Sequence, residues 1–138
     1  MSARDLKVAE AAALLGVSTD TVRRRASAAR IEASATAGHT TYPAAAVARL
    51  AAEQATAAAS GQDTLGELGP ASARNRLRGI VTRVLRDGVM AQVEVQAGPY
   101  RLVSLISREA ADELELEEGS IVAATVKATN VGIEGVSR

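Results

Sequence analysis

Cysteine is absent from the chain, so disulfides, thiolate zinc sites and a cysteine nucleophile are excluded. Phe and Trp are absent too, and Tyr42 and Tyr100 are the only tyrosines. A core must therefore rest on Val, Ile, Leu and many alanines. Base stacking on aromatic side chains, the usual way of holding single-stranded nucleic acid, has almost nothing to work with. His39 is the only histidine, so it has no second imidazole with which to share a metal. Sixteen basic residues balance sixteen acidic ones, and at zero net charge any contact with DNA has to come from a local patch. No apolar run approaches a membrane span, and the first residues, MSARDLKVAE, lack the apolar region of a signal peptide. The expectation is a cytoplasmic protein without a membrane partner. With no nucleophile–base pairing and no metal-ligand cluster, it is also expected not to be an enzyme.

What is present suffices for one ordinary domain or two small ones: 138 residues, 47% of them hydrophobic. Residues 51–70, AAEQATAAASGQDTLGELGP, begin as an alanine-rich helix tail and then gather Ser60, Gly61, Gly66, Gly69 and Pro70. That composition reads as a linker. The division predicted is 1–56, a linker over 57–70, and 71–138. Residues 1–56 hold seven basic and five acidic residues, and much of the excess lies in Arg23-Arg24-Arg25.

The first half is helical in pattern. Val8, Ala11, Ala12 and Leu15 recur at helical spacing, and Gly16 is suited to end that helix. Ser18 or Thr19 can cap a second helix, with Asp20 favourable in its first turn and Val22 and Ala26 facing inward. Two short helices around a glycine turn describe a helix-turn-helix, whose second helix here presents Thr19, Thr21 and the three arginines near its start. IEASATAGHTTYP then reads as a hairpin about Ala37-Gly38, and Pro43 opens another helix. By itself the arginine triplet would also suit a solvated face. Together, VAEAAALLGVSTDTVRRR, the Gly-His of the hairpin and YPAAAVARL resemble the winged helix-turn-helix of the MerR and excisionase type over residues 6–53. That resemblance implies a second helix in the major groove of double-stranded DNA, contacted by Thr19, Thr21, Arg23, Arg24 and Arg25. It also implies a wing at His39 and Thr40 against the backbone.

The second half is mostly strand-like. Val89, Ala91, Val93 and Val95 alternate with Met90, Gln92, Glu94 and Gln96, the pattern of a half-buried antiparallel strand. RGIVTRVL precedes it across a turn at Arg86-Asp87-Gly88, and YRLVSLI follows Ala97-Gly98-Pro99. Ser107 caps a short helix; SIVAATVKA and VGIEGV supply two more strands. Five strands and one helix predict a small OB-like barrel. The fold class expected is thus α+β: a small winged helix-turn-helix domain followed by an OB-like five-stranded β-barrel.

SARNRLRG, residues 72–79, leads into the first of these strands, with Arg76 and Arg78 expected to face solvent. Ser72 offers a hydroxyl, Arg74 a guanidinium and Lys127 an ammonium; Ser107 offers a hydroxyl and backbone N–H groups at the start of a helix. Spacing alone leaves two readings open: ligands to a small oxyanion, or surface salt-bridge and turn-capping residues. SARN at the start, ISREAADELELEEGS in the middle and VKAT near the end together resemble the TOBE domain, also called molbindin or Mop, over residues 71–136. The resemblance implies molybdate or tungstate held between subunits, with no organic cofactor and with no metal bound as a cation. Ser72, Ala73, Arg74, Asn75, Lys127, Ala128 and Thr129 would come from one chain and Ser107 from the facing chain, Asn75 shaping the strand start. Self-association as a dimer, or as a hexamer built as a trimer of dimers, follows from the same resemblance. The combination implies an oxyanion-responsive transcriptional regulator, and the alternative is a storage or buffering protein.

Overall fold

The structure, a computed structural model, describes residues 5–137. It divides between Thr64 and Leu65 into two compact units.

In the first unit, α1 (Val8–Leu15) and α2 (Thr19–Ala28) pack with α3 (Ala44–Gln62). Gly16 closes α1 in the left-handed conformation at φ 66°. Ser18 caps α2, its hydroxyl accepting the Thr21 N–H at 3.1 Å. The inward faces are those the helical spacing marks: Ala11, Ala12 and Leu15 from α1, Val22 and Ala26 from α2. They share one core with Leu6, Tyr42, Val47 and Leu50. Three short strands edge this core, β1 (Leu6–Lys7), β2 (Ser34–Thr36) and β3 (His39–Tyr42), in the order β1-β3-β2. Ala37 and Gly38 turn β2 into β3 with φ of 50° and 79°, the two left-handed residues of a tight hairpin.

Helix α3 runs to Gln62 and so takes in residues 57–62, which composition places in the linker. Only Ala46, Val47 and Leu50 of this helix are buried. Beyond them alanine's high helix propensity sustains the helix with little packing.

The second unit is a curled antiparallel sheet of four strands, β4 (Asn75–Arg86), β5 (Met90–Ala97), β6 (Tyr100–Ser107) and β7 (Ile121–Val126), in the order β6-β5-β4-β7. The alternation in β5 is observed for Ala91, Val93 and Val95, which are buried with Ala97 while the residues between them are not; Val89, expected on the same face, lies in the turn before the strand and is 73% exposed. Helix α4 (Arg108–Glu113) places Ala111 in the same core, with Val81 and Leu116. Two features mark β4. A register shift between Val81 and Arg83 marks a bulge at Thr82. Before it, Gly79 lies so close to β5 that a Cβ there would stand 2.6 Å from the Gln96 carbonyl oxygen and 2.6 Å from Val95 Cγ1. The β4–β5 turn is held by the Asp87 carboxylate, which accepts the Val89 N–H at 2.8 Å and the Met90 N–H at 2.7 Å. Those two bonds, Met90 first, hold the carboxyl below its ordinary range, and the charge of Arg108 adds to the effect.

The five-stranded barrel predicted from the sequence is corrected here. Among the described residues this unit has four strands, and VGIEGV, residues 131–136, pairs with none. Ile133 and Val136 are 93% and 84% exposed. Two glycines in six residues weaken the segment's hold on a strand conformation, and among the described residues it meets no sheet edge to supply ladder hydrogen bonds.

Candidate functional site

The start of β4 and the end of β7 meet at one corner of the sheet. Asn75 pairs with Val126 in an antiparallel register that runs on to Ile80 opposite Ile121. The Asn75 side chain reinforces the pair, its Nδ2 donating to the Val126 carbonyl at 3.1 Å. Ser72, Ala73 and Arg74 therefore lie just before one strand, and Lys127, Ala128 and Thr129 just after its neighbour. Segments more than fifty positions apart in the chain become adjacent. Asn75 acts on backbone shape, as its position at the strand start suggests.

Residues 128–130 form a single 3-10 turn, closed by the Asn130 N–H on the Lys127 carbonyl at 2.8 Å. Ser72, Arg74, Lys127 and Thr129 are exposed. Their side chains provide two hydroxyls, a guanidinium and an ammonium, a set of donors and cations without a carboxylate. That is the composition a small anion with only acceptor oxygens requires.

Ser107 does not belong to this corner within one chain. It caps α4, its hydroxyl accepting the Ala110 N–H at 3.0 Å, and it pairs with Met90. Met90 lies beside the Arg86 end of β4, where Arg86 pairs with Ala91. Asn75 and Arg86 are eleven positions apart, roughly 35 Å along an extended strand.

Arg76 and Arg78 do not simply face solvent. Arg76 Nη2 donates to the Gly69 carbonyl at 2.6 Å, and Arg78 Nη2 donates to the Gly66 carbonyl at 2.6 Å. Arg76 Nε is buried without a partner. The signal in the sequence was the i, i+2 arginine pair opposite a glycine-containing segment, but nothing local identifies a backbone carbonyl as the partner.

On the first unit, the arginine triplet separates by role. Arg23 pairs with Asp20 one turn earlier at 3.4 Å, and Arg24 is exposed. Arg25 is drawn inward: its Nη1 donates to Gln54 Oε1 at 2.6 Å, and Gln54 Nε2 donates to the Leu15 carbonyl at 2.8 Å. This chain of bonds ties all three helices together at the end of α1. Gln54 was not singled out by sequence reasoning, since a glutamine on an alanine-rich helix carries no local signal of it. Thr19 and Thr21 are half-buried at the start of α2, and the Thr21 hydroxyl lies 2.9 Å from that of Ser18. His39 is exposed at the hairpin and Thr40 half-buried. Among the described residues no cluster of His, Asp and Glu could hold a metal cation, and no helix is long and apolar enough to cross a membrane.

Comparison with known proteins finds one family in each unit. The family model described as the TOBE domain matches residues 71–133, and that described as a helix-turn-helix domain matches residues 6–55. A curated relative, molybdenum-pterin-binding protein 2 of Clostridium pasteurianum, is 40% identical over 63 residues, which are 45% of this chain and 93% of that protein. Among solved structures, a molybdate-binding protein from Sporomusa ovata aligns at 30% identity and a TM-score of 0.47, covering 49% of this chain and 100% of that one. MopII from Clostridium pasteurianum aligns at 37% identity and a TM-score of 0.45, covering 48% and 100%.

Proposed function

The chain belongs to the TOBE family through residues 71–133 and carries a helix-turn-helix domain at residues 6–55, and from this we propose that it is a DNA-binding transcriptional regulator that responds to molybdate or tungstate. The observation that supports the ligand part is the β4–β7 register, which pairs Asn75 with Val126 and so brings the segment before β4 beside the segment after β7. Molybdate is a tetrahedral dianion with four acceptor oxygens and no donor at neutral pH. Withdrawing it from water requires many N–H and O–H donors and cationic charge. In this reading Arg74 and Lys127 neutralise the anion, and Ser72, Thr129 and the backbone amides near Ala73 and Ala128 complete the shell. The ligand is the bare oxyanion with no organic cofactor, and the protein binds and releases it without catalysis.

Ser107 enters from a facing subunit. Its distance from the corner within one chain and its free hydroxyl hydrogen both suit that role. Two such corners then assemble around shared anions, as a dimer or as a hexamer built from three dimers. The anion draws together cationic groups that otherwise repel, so it favours the assembled state by its differential affinity.

In the first unit α2 reads the major groove of double-stranded DNA through Thr19, Thr21, Arg23 and Arg24, with His39 and Thr40 of the hairpin as a wing on the backbone. Arg25 supports the helix from behind. Assembly pairs the DNA-binding units and so raises their avidity for paired half-sites. The site of action is the cytoplasm.

Titration calorimetry with molybdate, tungstate and sulfate, on the wild type and on Arg74→Ala, tests the ligand. The variant should bind roughly ten- to a hundredfold more weakly, the worth of a charged hydrogen-bonding partner. Equal affinity would remove Arg74 from the site. Gel shifts with promoter DNA, with and without molybdate, test the regulator. No retarded band in either condition would favour oxyanion storage.

A further inference from the structure

The segment Leu65–Pro70 is not a loose tether. It turns back along β4: Arg76 holds the Gly69 carbonyl and Arg78 the Gly66 carbonyl, each at 2.6 Å. The chain therefore reverses between Pro70 and Asn75, with Ser72 and Arg74 in the reversal. A cleft beside the segment, of about 150 Å³, is lined by Leu65, Leu68, Ile121 and Ala123, so the segment also lies over the β7 side of the sheet. The buried, unpartnered Arg76 Nε shows how far that guanidinium is covered. Gly66 adopts φ 112°, a backbone conformation that a side chain strains, at the point where the Arg78 bond is made.

We propose that Arg76 and Arg78 are positioning residues, a clasp that holds residues 65–70 on β4 and so keeps the Ser72–Arg74 loop in its ligand-ready shape. The inference rests on the oxyanion reading of that loop. Its physical basis is pre-organisation. A loop closed at its base by Arg76 and Gly69 has surrendered most of its freedom before the ligand arrives, so binding need not supply that ordering. The coupling is reciprocal: an anion that favours the ordered loop also favours the closed clasp. Because residues 65–70 connect directly to the turn that follows α3, the clasp is where occupancy first acts on the chain leading to the other unit.

The absence of cysteine permits a clean probe, a nitroxide on a single cysteine introduced as Glu67→Cys in the full-length chain. Two variants break the clasp differently. Arg76→Gln with Arg78→Gln removes the donors and two charges; Gly66→Ala strains the held segment and leaves every charge in place. The nitroxide should be immobilised in the parent and mobile in both variants. Molybdate affinity, measured by equilibrium dialysis, should fall about fivefold or more in Gly66→Ala. Added molybdate should slow the label in that variant. Affinity unchanged by Gly66→Ala while the label is freed would overturn the clasp, as would a weakening confined to the double arginine variant, which charge alone explains. Equal label mobility in all three proteins would overturn it as well. If the double variant fails to fold, Gly66→Ala decides. A parent protein that takes up no molybdate removes the oxyanion reading itself, while the label still reports whether residues 65–70 are held.

Discussion

Gly79→Ala is expected to destabilise the sheet unit severely, although it adds one methyl group to a strand. The added Cβ would stand 2.6 Å from the Gln96 carbonyl oxygen and 2.6 Å from Val95 Cγ1, where contacts of this kind settle near 3.5 Å or beyond. Relief needs a movement of roughly 1 Å. Rotation of Val95 gives little, because its side chain is buried in the core. The carbonyl belongs to the backbone of β5, paired with β4 at Ile80 and Gln96. Moving it strains ladder hydrogen bonds worth about 1 kcal/mol each, on top of an overpacking cost of about 1–3 kcal/mol. About 3 kcal/mol is the expected total, which for a unit of this size is a fall in Tm of roughly 12–24 °C. Far-UV circular dichroism of the full chain, following the sheet signal on heating, measures it. Gly61→Ala in α3 is the control: nothing lies within 4 Å of its would-be Cβ, and the helix should gain about 0.5–1 kcal/mol. A Gly79→Ala protein melting within about 2 °C of the wild type would refute the close approach of β4 and β5.

Arg25→Ala should destabilise the helical unit by about 1–2 kcal/mol, through loss of the Gln54 bond, as measured by urea titration. Arg24→Ala should leave that stability unchanged and weaken DNA binding by about 1–3 kcal/mol in a fluorescence-anisotropy titration. The reverse pattern would exchange their roles. The Asp87 carboxyl titrates lower in the folded chain than the unfolded value of about 3.9, so its contribution to stability is complete above that pH and is lost as the pH falls through the folded value. Asp87→Asn should accordingly lower Tm at neutral pH, and the gap from wild type should narrow below about pH 4. A gap that stays constant from pH 7 to pH 3 would mean that the charged form is not what the Val89 and Met90 amides hold.

Local pattern carried far in this chain. The period of Val8, Ala11, Ala12 and Leu15, the stop at Gly16, the cap at Ser18 and the alternation of β5 follow from rules acting within a few residues. Each was legible because backbone conformation and burial there depend on near neighbours. The corner of donors was legible only in part. Its residue types stand in the sequence, but the adjacency of Ser72–Asn75 with Lys127–Thr129 is a product of strand pairing over more than fifty positions.

Tertiary structure alone decided the rest. VGIEGV has the residues of a strand and no partner among the described residues, and a strand exists only where another edge completes its hydrogen bonds. Arg25 turned from the exposed face that Arg23 and Arg24 share to Gln54, and Arg76 and Arg78 turned from solvent to the carbonyls of Gly69 and Gly66. A long guanidinium takes whichever acceptor the fold brings within reach, and its own position in the sequence does not name that acceptor.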